Sequence, residues 1–381
     1  MHGRNVKNIS TYNNKLILDL LFTKEYSCTE IANMIGITHV AVIYIIKRLQ
    51  EAGLIMLSHE TEGKRERGRQ HIRYTINKDR GILVCVNMIY RMEEFFITDF
   101  AGNVLYREQL NNIARHSKYV PDEELEYTAK HIREVADRFN KPVLGVALTI
   151  PGQSDDKTGE AFASSRIKAD TDLKGIFESA LNARMRTRND TLLSALGEQS
   201  LGALKGGGRN TLYVNVGYGL SCCILGNDGK PLGGYRSYFG ELGKAYDSKS
   251  GKDVHACCAV SSLLEQCEPY LGANNIDELA AAYKKDERVI KTVDESANVL
   301  GNTLRTVVAV CGASKVVISG PVKKLGKRYF DIVSERLHET PIEFPVDVYL
   351  SRVDFPLNEG LQQLARRIAI DELCSENLSN Q

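Results

Sequence analysis

The chain has 381 residues, enough for two or three domains, and its 43% hydrophobic and 25% charged residues are typical of a globular protein. No run of about 18 apolar residues predicts a membrane span, and the nine cysteines form no regular disulfide framework. With no signal peptide in the sequence, we expect reduced thiols in the cytosol. The net charge is only +1, but residues 1–80 hold 13 Lys and Arg against 8 Asp and Glu. A basic N-terminal segment followed by a mildly acidic remainder is typical of a nucleic-acid-binding domain joined to a sensor or an enzyme.

The first predicted elements are helices. Apolar residues at helical spacing predict a helix over residues 14–22. Ser27, followed three residues later by Glu30, has the form of a capping box that begins a short helix, which Gly36 ends. Thr38 then occupies the N-cap position of a longer helix. Two short helices joined by a turn that contains glycine predict a helix-turn-helix.

The second helix of this motif is expected to face double-stranded DNA. Its candidates for contact with bases or phosphates are Thr38, His39, Ile43, Tyr44 and Lys47. Ile43 could contact a thymine methyl group, and it could equally belong to the core.

A β-hairpin is predicted after the helix-turn-helix. One strand starts at residue 55 and the returning strand covers residues 72–76. Between them lies a polar tip over 60–70, whose basic residues are Lys64, Arg65, Arg67 and Arg69. Such cations are suited to phosphate oxygens or the minor groove, although a charged hairpin can also be simply solvated. Because the hairpin follows two helices in the correct order, we interpret residues 1–77 as a winged helix-turn-helix DNA-binding domain. Residues 1–12 are expected to be a loose arm.

A different pattern begins after a polar connector. Strands are predicted at 82–87, 94–99 and 104–107, and the pattern returns at 211–216 and 222–225 before a short third strand. The two meanders indicate a duplicated α/β domain with a cleft between its halves. Apolar stripes in the intervening helices are interpreted as core.

Three short motifs in the body could carry chemistry. Asn189 and Asp190 precede a long apolar helix, Gly217 and Gly219 lie in a turn between strands, and Glu241 stands among glycines. Each motif also has a structural explanation: a helix N-cap, turn geometry and a surface loop, respectively. The two glycines supply at most half of a phosphate-binding loop. Taken singly, none of these motifs defines a site.

In this order the motifs resemble the ROK family (repressors, open reading frames and sugar kinases), from about residue 11 to residue 370. The matching segments are Gly68-Arg69 and residues 98–104, 150–152, 189–191, 195–198, 216–219 and 240–243. The resemblance implies an α/β fold, with an N-terminal winged helix-turn-helix followed by a duplicated sugar-kinase/actin-like (ribonuclease H-like) domain pair. We expect the first half at 81–190, completed by a C-terminal helix at 356–374, and the second half at 191–350. The family also implies a homodimer or tetramer.

The resemblance further implies a sugar ligand. By motif position its contacts are Asn189, Asp190, Glu241 and Glu265, whose carboxylates and amide can pair with vicinal hydroxyls. Lys244 adds a positive charge beside them, so the ligand could be a phosphorylated or acidic sugar. Alternatively, Lys244 only pairs with Glu241.

Departures from the family pattern decide between a kinase and a sensor. Residues 87–91 lack the glycines and the acid of the first phosphate turn of the kinases, whereas Asp190 keeps the position of the catalytic base. A base without a phosphate cradle cannot position phosphoryl transfer, so we predict that kinase activity is lost. Lys244 replaces the family's zinc-binding histidine, so neither a metal nor a cofactor is expected.

We therefore predict a transcriptional regulator, specifically a repressor, that binds double-stranded operator DNA and responds to a sugar or sugar-phosphate effector. No membrane partner is expected. The alternative is an active ATP-dependent sugar kinase with an accessory DNA-binding head. A third possibility is a regulator that has lost its ligand and acts constitutively.

Overall fold

The computed structural model describes residues 6–58, 72–89, 93–110, 119–154, 161–205, 209–234, 239–272, 275–339 and 343–376. The chain divides into two compact units. The first unit comprises residues 1–152, 157–188 and 361–381, and the second unit comprises residues 153–156 and 189–360. The winged helix-turn-helix lies within the first unit, and its boundary at residue 77 stays a prediction, as do the boundaries of the two halves.

The amino-terminal part is a helix-turn-helix with a three-stranded sheet, and we call its residues 6–58 and 72–76 the head. Its elements are α1 (Val6–Leu21), β1 (Tyr26–Ser27), α2 (Cys28–Ile35), α3 (His39–Glu51), β2 (Ile55–Leu57) and β3 (Arg73–Ile76). The strands lie in the order β1-β3-β2, and β3 is antiparallel to both neighbours. The predicted helix-turn-helix and hairpin are confirmed, and β1 is an additional strand.

Local hydrogen bonds fix the ends of α2 and α3. The Glu30 N–H donates to the Ser27 hydroxyl oxygen while the Ser27 N–H donates to the Glu30 carboxylate, which is the predicted capping box. Gly36 ends α2 with a φ of 71°, in the left-handed region that favours glycine. The Ala41 N–H donates to the Thr38 hydroxyl oxygen at the start of α3. The turn between the two helices is therefore specified by residues within it.

Helix α1 begins at Val6, so the predicted loose arm is wrong for residues 6–12. This segment contains neither Pro nor Gly. Ile17, Leu18 and Leu21 are buried and anchor the carboxyl-terminal half of the helix. Once that half is packed, each further residue adds a hydrogen bond without a new nucleation cost.

Asn14 is a polar residue buried in α1, with 1% of its surface exposed. Within the described residues, neither its amide nitrogen nor its amide oxygen has a hydrogen-bond partner. Because an unpaired buried polar group is costly, we expect Asn14→Leu to raise the free energy of unfolding by about 1–2 kcal/mol. Urea unfolding followed by circular dichroism measures the change. Asn14→Asp is the control and should destabilise the protein by burying a charge; a less stable Asn14→Leu protein would contradict the prediction.

The first unit also contains a five-stranded sheet. In chain order, residues 82–189 form β4 (Ile82–Asn87), β5 (Glu94–Asp99), β6 (Val104–Gln109), α4 (Asp122–Asp137), β7 (Val143–Ile150), β8 (Gly152–Ser154), β9 (Ala161–Ser164), α5 (Leu173–Leu181) and β10 (Met185–Asn189). The strand order is β10-β7-β4-β5-β6, with an antiparallel meander from β4 to β6 and with β7 parallel to β4. Helices α4 and α5 cover one face, where Val84, Phe95 and Phe177 are fully buried.

The second unit repeats this arrangement with a four-stranded sheet. Its elements are α6 (Asp190–Leu201), β11 (Thr211–Val216), β12 (Leu220–Leu225), β13 (Tyr246–Asp247), β14 (Lys252–Asp253), α7 (Val254–Cys258), α8 (Val260–Leu271), α9 (Ile276–Ala282), α10 (Glu287–Cys311), β15 (Lys315–Ser319), α11 (Lys327–His338) and β16 (Asp347–Leu350). The strand order is β12-β11-β15-β16; β11 is antiparallel to β12 and parallel to β15, as β4 is to β5 and β7. The duplicated α/β fold is confirmed. Within residues 209–234, the predicted third strand of this meander is represented by a bridge between Leu225 and Pro231.

The last helix, α12 (Pro356–Glu376), begins in the second unit and ends in the first. Its carboxyl-terminal part contacts the head, where Lys15 Nζ of α1 lies 2.5 Å from Asp371 Oδ1. The rings of Phe22 and Phe100 meet edge to face, with centroids 5.3 Å apart. The head is therefore attached to the remainder of the first unit by both an ion pair and an aromatic contact.

Among the described residues, no single helix is long and apolar enough to cross a membrane, and only the sharply bent pair of α2 and α3 meets the length and composition test jointly.

Candidate functional site

One side of α3 presents predicted DNA-binding residues to solvent. His39 and Lys47 are exposed, together with Ile43 and Tyr44, whose exposed fractions are 48% and 63%. The buried side of the helix consists of Val42, Ile45, Ile46 and Leu49. Ile43 therefore does not belong to the core, which removes the alternative that the sequence left open.

Contacts within α3 restrain its long side chains. The Arg48 guanidinium lies over the Tyr44 ring, 5.7 Å from its centroid, and Lys47 Nζ lies 3.8 Å from Glu51 Oε1. Thr38 is exposed at the start of the helix, where its hydroxyl oxygen serves as the N-cap acceptor. The observed role of Thr38 is thus structural, and its contact with DNA stays a prediction.

Val40 is the most exposed apolar residue of α3, at 76%, and the sequence did not single it out. It precedes Ile43 and Tyr44 by three and four positions, so the three side chains share one face of the helix. That spacing was the available signal. Apolar residues at this spacing are normally assigned to a core, which is why the sequence alone did not assign Val40 to a surface.

The wing tip predicted at 60–70, with Lys64, Arg65, Arg67 and Arg69, lies outside the described residues. The base of the hairpin is described. Arg73 of β3 donates to the Glu25 carbonyl oxygen, and its guanidinium lies 2.8 Å from the Glu30 carboxylate. Arg73 thus stabilises the head itself.

Helix α6 begins at the predicted Asn189-Asp190 pair. The Leu192 N–H donates to Asn189 Oδ1 at 3.0 Å, so Asn189 is the N-cap. Asp190 is the first residue of the helix, where the positive end of the helix dipole favours a carboxylate. Its pKa is nevertheless raised to about 6, chiefly because burial disfavours the charged form and also because the Glu241 carboxylate repels it. A carboxyl group that titrates near neutral pH can either accept or donate a hydrogen bond to a ligand hydroxyl.

The Glu241 carboxylate is held by Gln153, a residue that the sequence did not single out. Gln153 is 3% exposed, and its Nε2 donates to Glu241 Oε1 at 2.6 Å. Lys244 ends the 3-10 turn that follows Glu241, and its backbone N–H donates to the Glu241 carbonyl oxygen at 2.9 Å. The Lys244 side chain is exposed. The described contact to the Glu241 carboxylate thus comes from an amide, and the alternative pairing with Lys244 gains no support. The available signal was the position of Gln153 directly after the matching segment at 150–152.

Glu265 is not brought into this group by any contact of the described residues. It is exposed on α8, while Leu263, Leu264 and Cys267 of the same helix are buried. Helical periodicity therefore turns Glu265 away from the core of the second unit. The structure gives no support to its assignment as a ligand contact.

The residues that stand at the family's zinc site do not fit a zinc ion. Cys258 Sγ donates to the Ser296 carbonyl oxygen at 3.4 Å, and burial raises the pKa of this thiol far above its usual range. Cys257 Sγ lies 3.3 Å from Ser250 Oγ, and Lys244 takes the histidine position. Among the described residues, no group of three or more His, Cys, Asp or Glu could hold a metal ion. The absence of zinc stays a prediction.

The glycine turn between β11 and β12 is held by one hydrogen bond of its own and by two from the start of α8. The Gly217 N–H donates to the Gly219 carbonyl oxygen at 2.9 Å. The Val260 N–H donates to the Gly217 carbonyl oxygen, and the Ser261 hydroxyl donates to the Tyr218 carbonyl oxygen at 2.6 Å. The N–H of Gly217, which would otherwise be available to an anion, is thus engaged within the turn.

The fold places this chain among proteins that join a winged helix-turn-helix to a sugar-kinase-like body. The crystal structure of a ROK family transcriptional regulator, a homolog of the E. coli MLC protein, covers 98% of this chain and all of that chain, with a TM-score of 0.79 and 17% identity. The crystal structure of the ROK hexokinase from Thermus thermophilus covers 76% of this chain and 99% of that chain, with a TM-score of 0.61 and 19% identity. The predicted fold class is confirmed.

The sequence assigns the family. The ROK family model matches residues 84–352, and the chain belongs to the ROK family. A xylose repressor from Caldicellulosiruptor bescii is 22% identical over 354 residues, which cover 86% of this chain and 87% of that protein.

Proposed function

We propose that this chain is a DNA-binding transcriptional repressor controlled by a carbohydrate effector. The observation that carries the proposal is the exposed side of α3, where His39, Ile43, Tyr44 and Lys47 face solvent while the opposite side holds the head together. A capped helix of this kind fits a major groove about 12 Å wide. The name of the C. bescii relative, a xylose repressor, supports the same activity.

The proposed complex contains two heads on one duplex. A cytosolic homodimer or tetramer would present them to half-sites about 34–36 Å apart. Lys64, Arg65, Arg67 and Arg69 of the wing are the proposed phosphate or minor-groove contacts.

The proposed effector site is the group around α6. Asp190 and Glu241 offer carboxyl oxygens to sugar hydroxyls, Asn189 lies beside them, and Gln153 fixes the orientation of Glu241. A pentose such as xylose is the first candidate because of the relative's name. The exposed Lys244 makes a sugar phosphate the second candidate. An effector that binds one conformation more tightly shifts the population of the DNA-binding form.

The proposed repressor has lost kinase activity. The N–H of Gly217 is engaged inside its turn, which argues against a phosphate cradle there. The alternative, an active ATP-dependent sugar kinase, is favoured by one observation: Asp190 keeps the position of the catalytic base, with a pKa near 6 that suits proton transfer. A coupled assay for ADP release, with pentoses and hexoses as acceptors, decides between the two. Turnover above about 1 per second that Asp190→Asn abolishes would overturn the repressor assignment.

We expect the purified chain to bind duplex DNA from its own promoter and to be released by a sugar or sugar phosphate. In fluorescence anisotropy, Glu241→Gln should leave the affinity for DNA unchanged. The effector concentration that releases half of the DNA should rise at least about tenfold, because hydrogen bonds to a charged group are lost. Glu287→Gln, at an exposed position on α10, is the matched control and should respond as the wild type does. Failure to bind duplex at low ionic strength would refute the proposed function. An equal response of the two variants would refute only the effector site.

A further inference from the structure

The base-facing side of α3 is mostly apolar. Val40, Ile43 and Tyr44 expose 76%, 48% and 63% of their surface on one face of the helix. They occupy its first two turns, the part of a recognition helix that reaches base edges. The core of the head does not require these three residues, because four other apolar residues on the opposite side of α3 are buried in it.

Charged groups border this apolar face. Lys47 follows it one turn later, where its ammonium lies 3.8 Å from the exposed Glu51 carboxylate, and Arg48 lies over the Tyr44 ring. An exposed pair of this kind is weak, so the Lys47 ammonium can exchange it for a phosphate. Residues 1–80 as a whole hold 13 Lys and Arg against 8 Asp and Glu. An apolar centre bordered by charged groups with an excess of cations matches the phosphate backbones on either side of a major groove better than it matches an apolar protein surface.

The residue types of these two turns restrict the bases that can be read. Guanine is read by Arg or Lys, and adenine by Asn or Gln, through paired hydrogen bonds. Residues 39–46 contain none of these four types. The apolar group that a base pair presents in the major groove is the 5-methyl group of thymine.

We propose that Val40 and Ile43 read thymines in each operator half-site by packing against their 5-methyl groups. This inference rests on the proposed function, since it specifies which feature of DNA the head recognises. Both residues present branched methyl groups on the same exposed face, three positions apart. Lys47 and Arg48 then fix the register of the helix through phosphate contacts.

The test removes methyl groups from DNA. Duplexes are selected from a randomised pool with the full-length chain, and each thymine of the selected sequence is then replaced by deoxyuridine, which pairs identically but lacks the 5-methyl group. We expect one to three positions per half-site at which the replacement weakens binding about three- to fivefold, as expected for the loss of one buried methyl group. Val40→Ala or Ile43→Ala should abolish the effect at one of these positions. Val310→Ala, at an 84% exposed valine of α10, is the matched control and should keep every effect.

The outcomes separate this inference from the function on which it rests. If no duplex is enriched, both fail. If duplexes are enriched but deoxyuridine has no effect at any position, or if Val40→Ala and Ile43→Ala keep every effect, thymine reading is refuted while DNA binding stands. A third outcome is that light scattering shows a loss of self-association in these variants, while the effect of deoxyuridine on their DNA binding is unchanged. The apolar face would then contact another copy of the chain, and the inference would be overturned.

Discussion

Replacing Gly360 with alanine is expected to lower the free energy of unfolding of the second unit by about 3 kcal/mol. A Cβ atom at this position would lie 2.0 Å from the Leu193 carbonyl oxygen and 2.9 Å from the Leu193 Cα. Both are backbone atoms, so rotation of a side chain cannot relieve the overlap. Helix α6 and the first turn of α12 must move apart, which weakens packing on both sides of the contact.

The same close approach occurs from the opposite helix. A Cβ atom at Gly197 of α6 would lie 1.8 Å from the Pro356 carbonyl oxygen. Two glycines where the helices meet allow their backbones to come closer than side chains would permit. Since one separation of the helices relieves both overlaps, Gly197→Ala combined with Gly360→Ala should destabilise less than the sum of the two.

Urea unfolding followed by circular dichroism measures these differences. Gly233→Ala is the control, because a Cβ atom there would meet nothing within 4 Å. Its stability should remain within about 0.5 kcal/mol of the wild type. A Gly360→Ala protein as stable as the Gly233→Ala protein would mean that α6 and α12 do not approach so closely.

The parts of the fold that the sequence could predict are those specified by near neighbours along the chain. The capping box of Ser27 and Glu30 and the N-cap at Thr38 involve bonds across three residues, and both are present. The strands of the meanders follow from short apolar runs bounded by turn residues, as in the fully buried β4 and β5. The third strand of the second meander was predicted from a turn alone, and the part of the chain described up to residue 234 forms a single bridge there, from Leu225 to Pro231.

The candidate site could be predicted only in part, because distant segments assemble it. Gln153 reaches Glu241 across 88 residues, and nothing near Gln153 in the sequence indicates that partner. Similarly, the exposure of Glu265 and of Val40 depends on which side of α8 or α3 meets the core. Periodicity gives the apolar side of a helix, but packing decides which apolar residues remain outside.

Replacing Asp190 with asparagine is expected to stabilise the protein by about 3 kcal/mol at about pH 8. The pKa of Asp190 rises from an ordinary value of 3.8 to about 6 in the folded chain, through burial first and repulsion by Glu241 second. Below 3.8 the carboxyl group is protonated in both states and contributes nothing. As the pH rises from 3.8 to 6, the unfolded chain loses this proton while the folded chain keeps it, so the stability falls. Above 6 the full cost of the buried charge is present, and asparagine removes it.

Urea unfolding of Asp190→Asn and the wild type across this pH range measures the effect, and the difference should vanish below about pH 4. Asp228→Asn is the control: the hydrogen bond from the Lys230 N–H lowers the pKa of Asp228, so its removal should not stabilise the protein. A stability difference for Asp190→Asn that is absent at about pH 8, or that grows toward acid, would contradict the raised pKa. The variant should also lose its response to the effector. A gain in stability together with that loss would indicate that the chain retains a costly carboxylate because a ligand needs it.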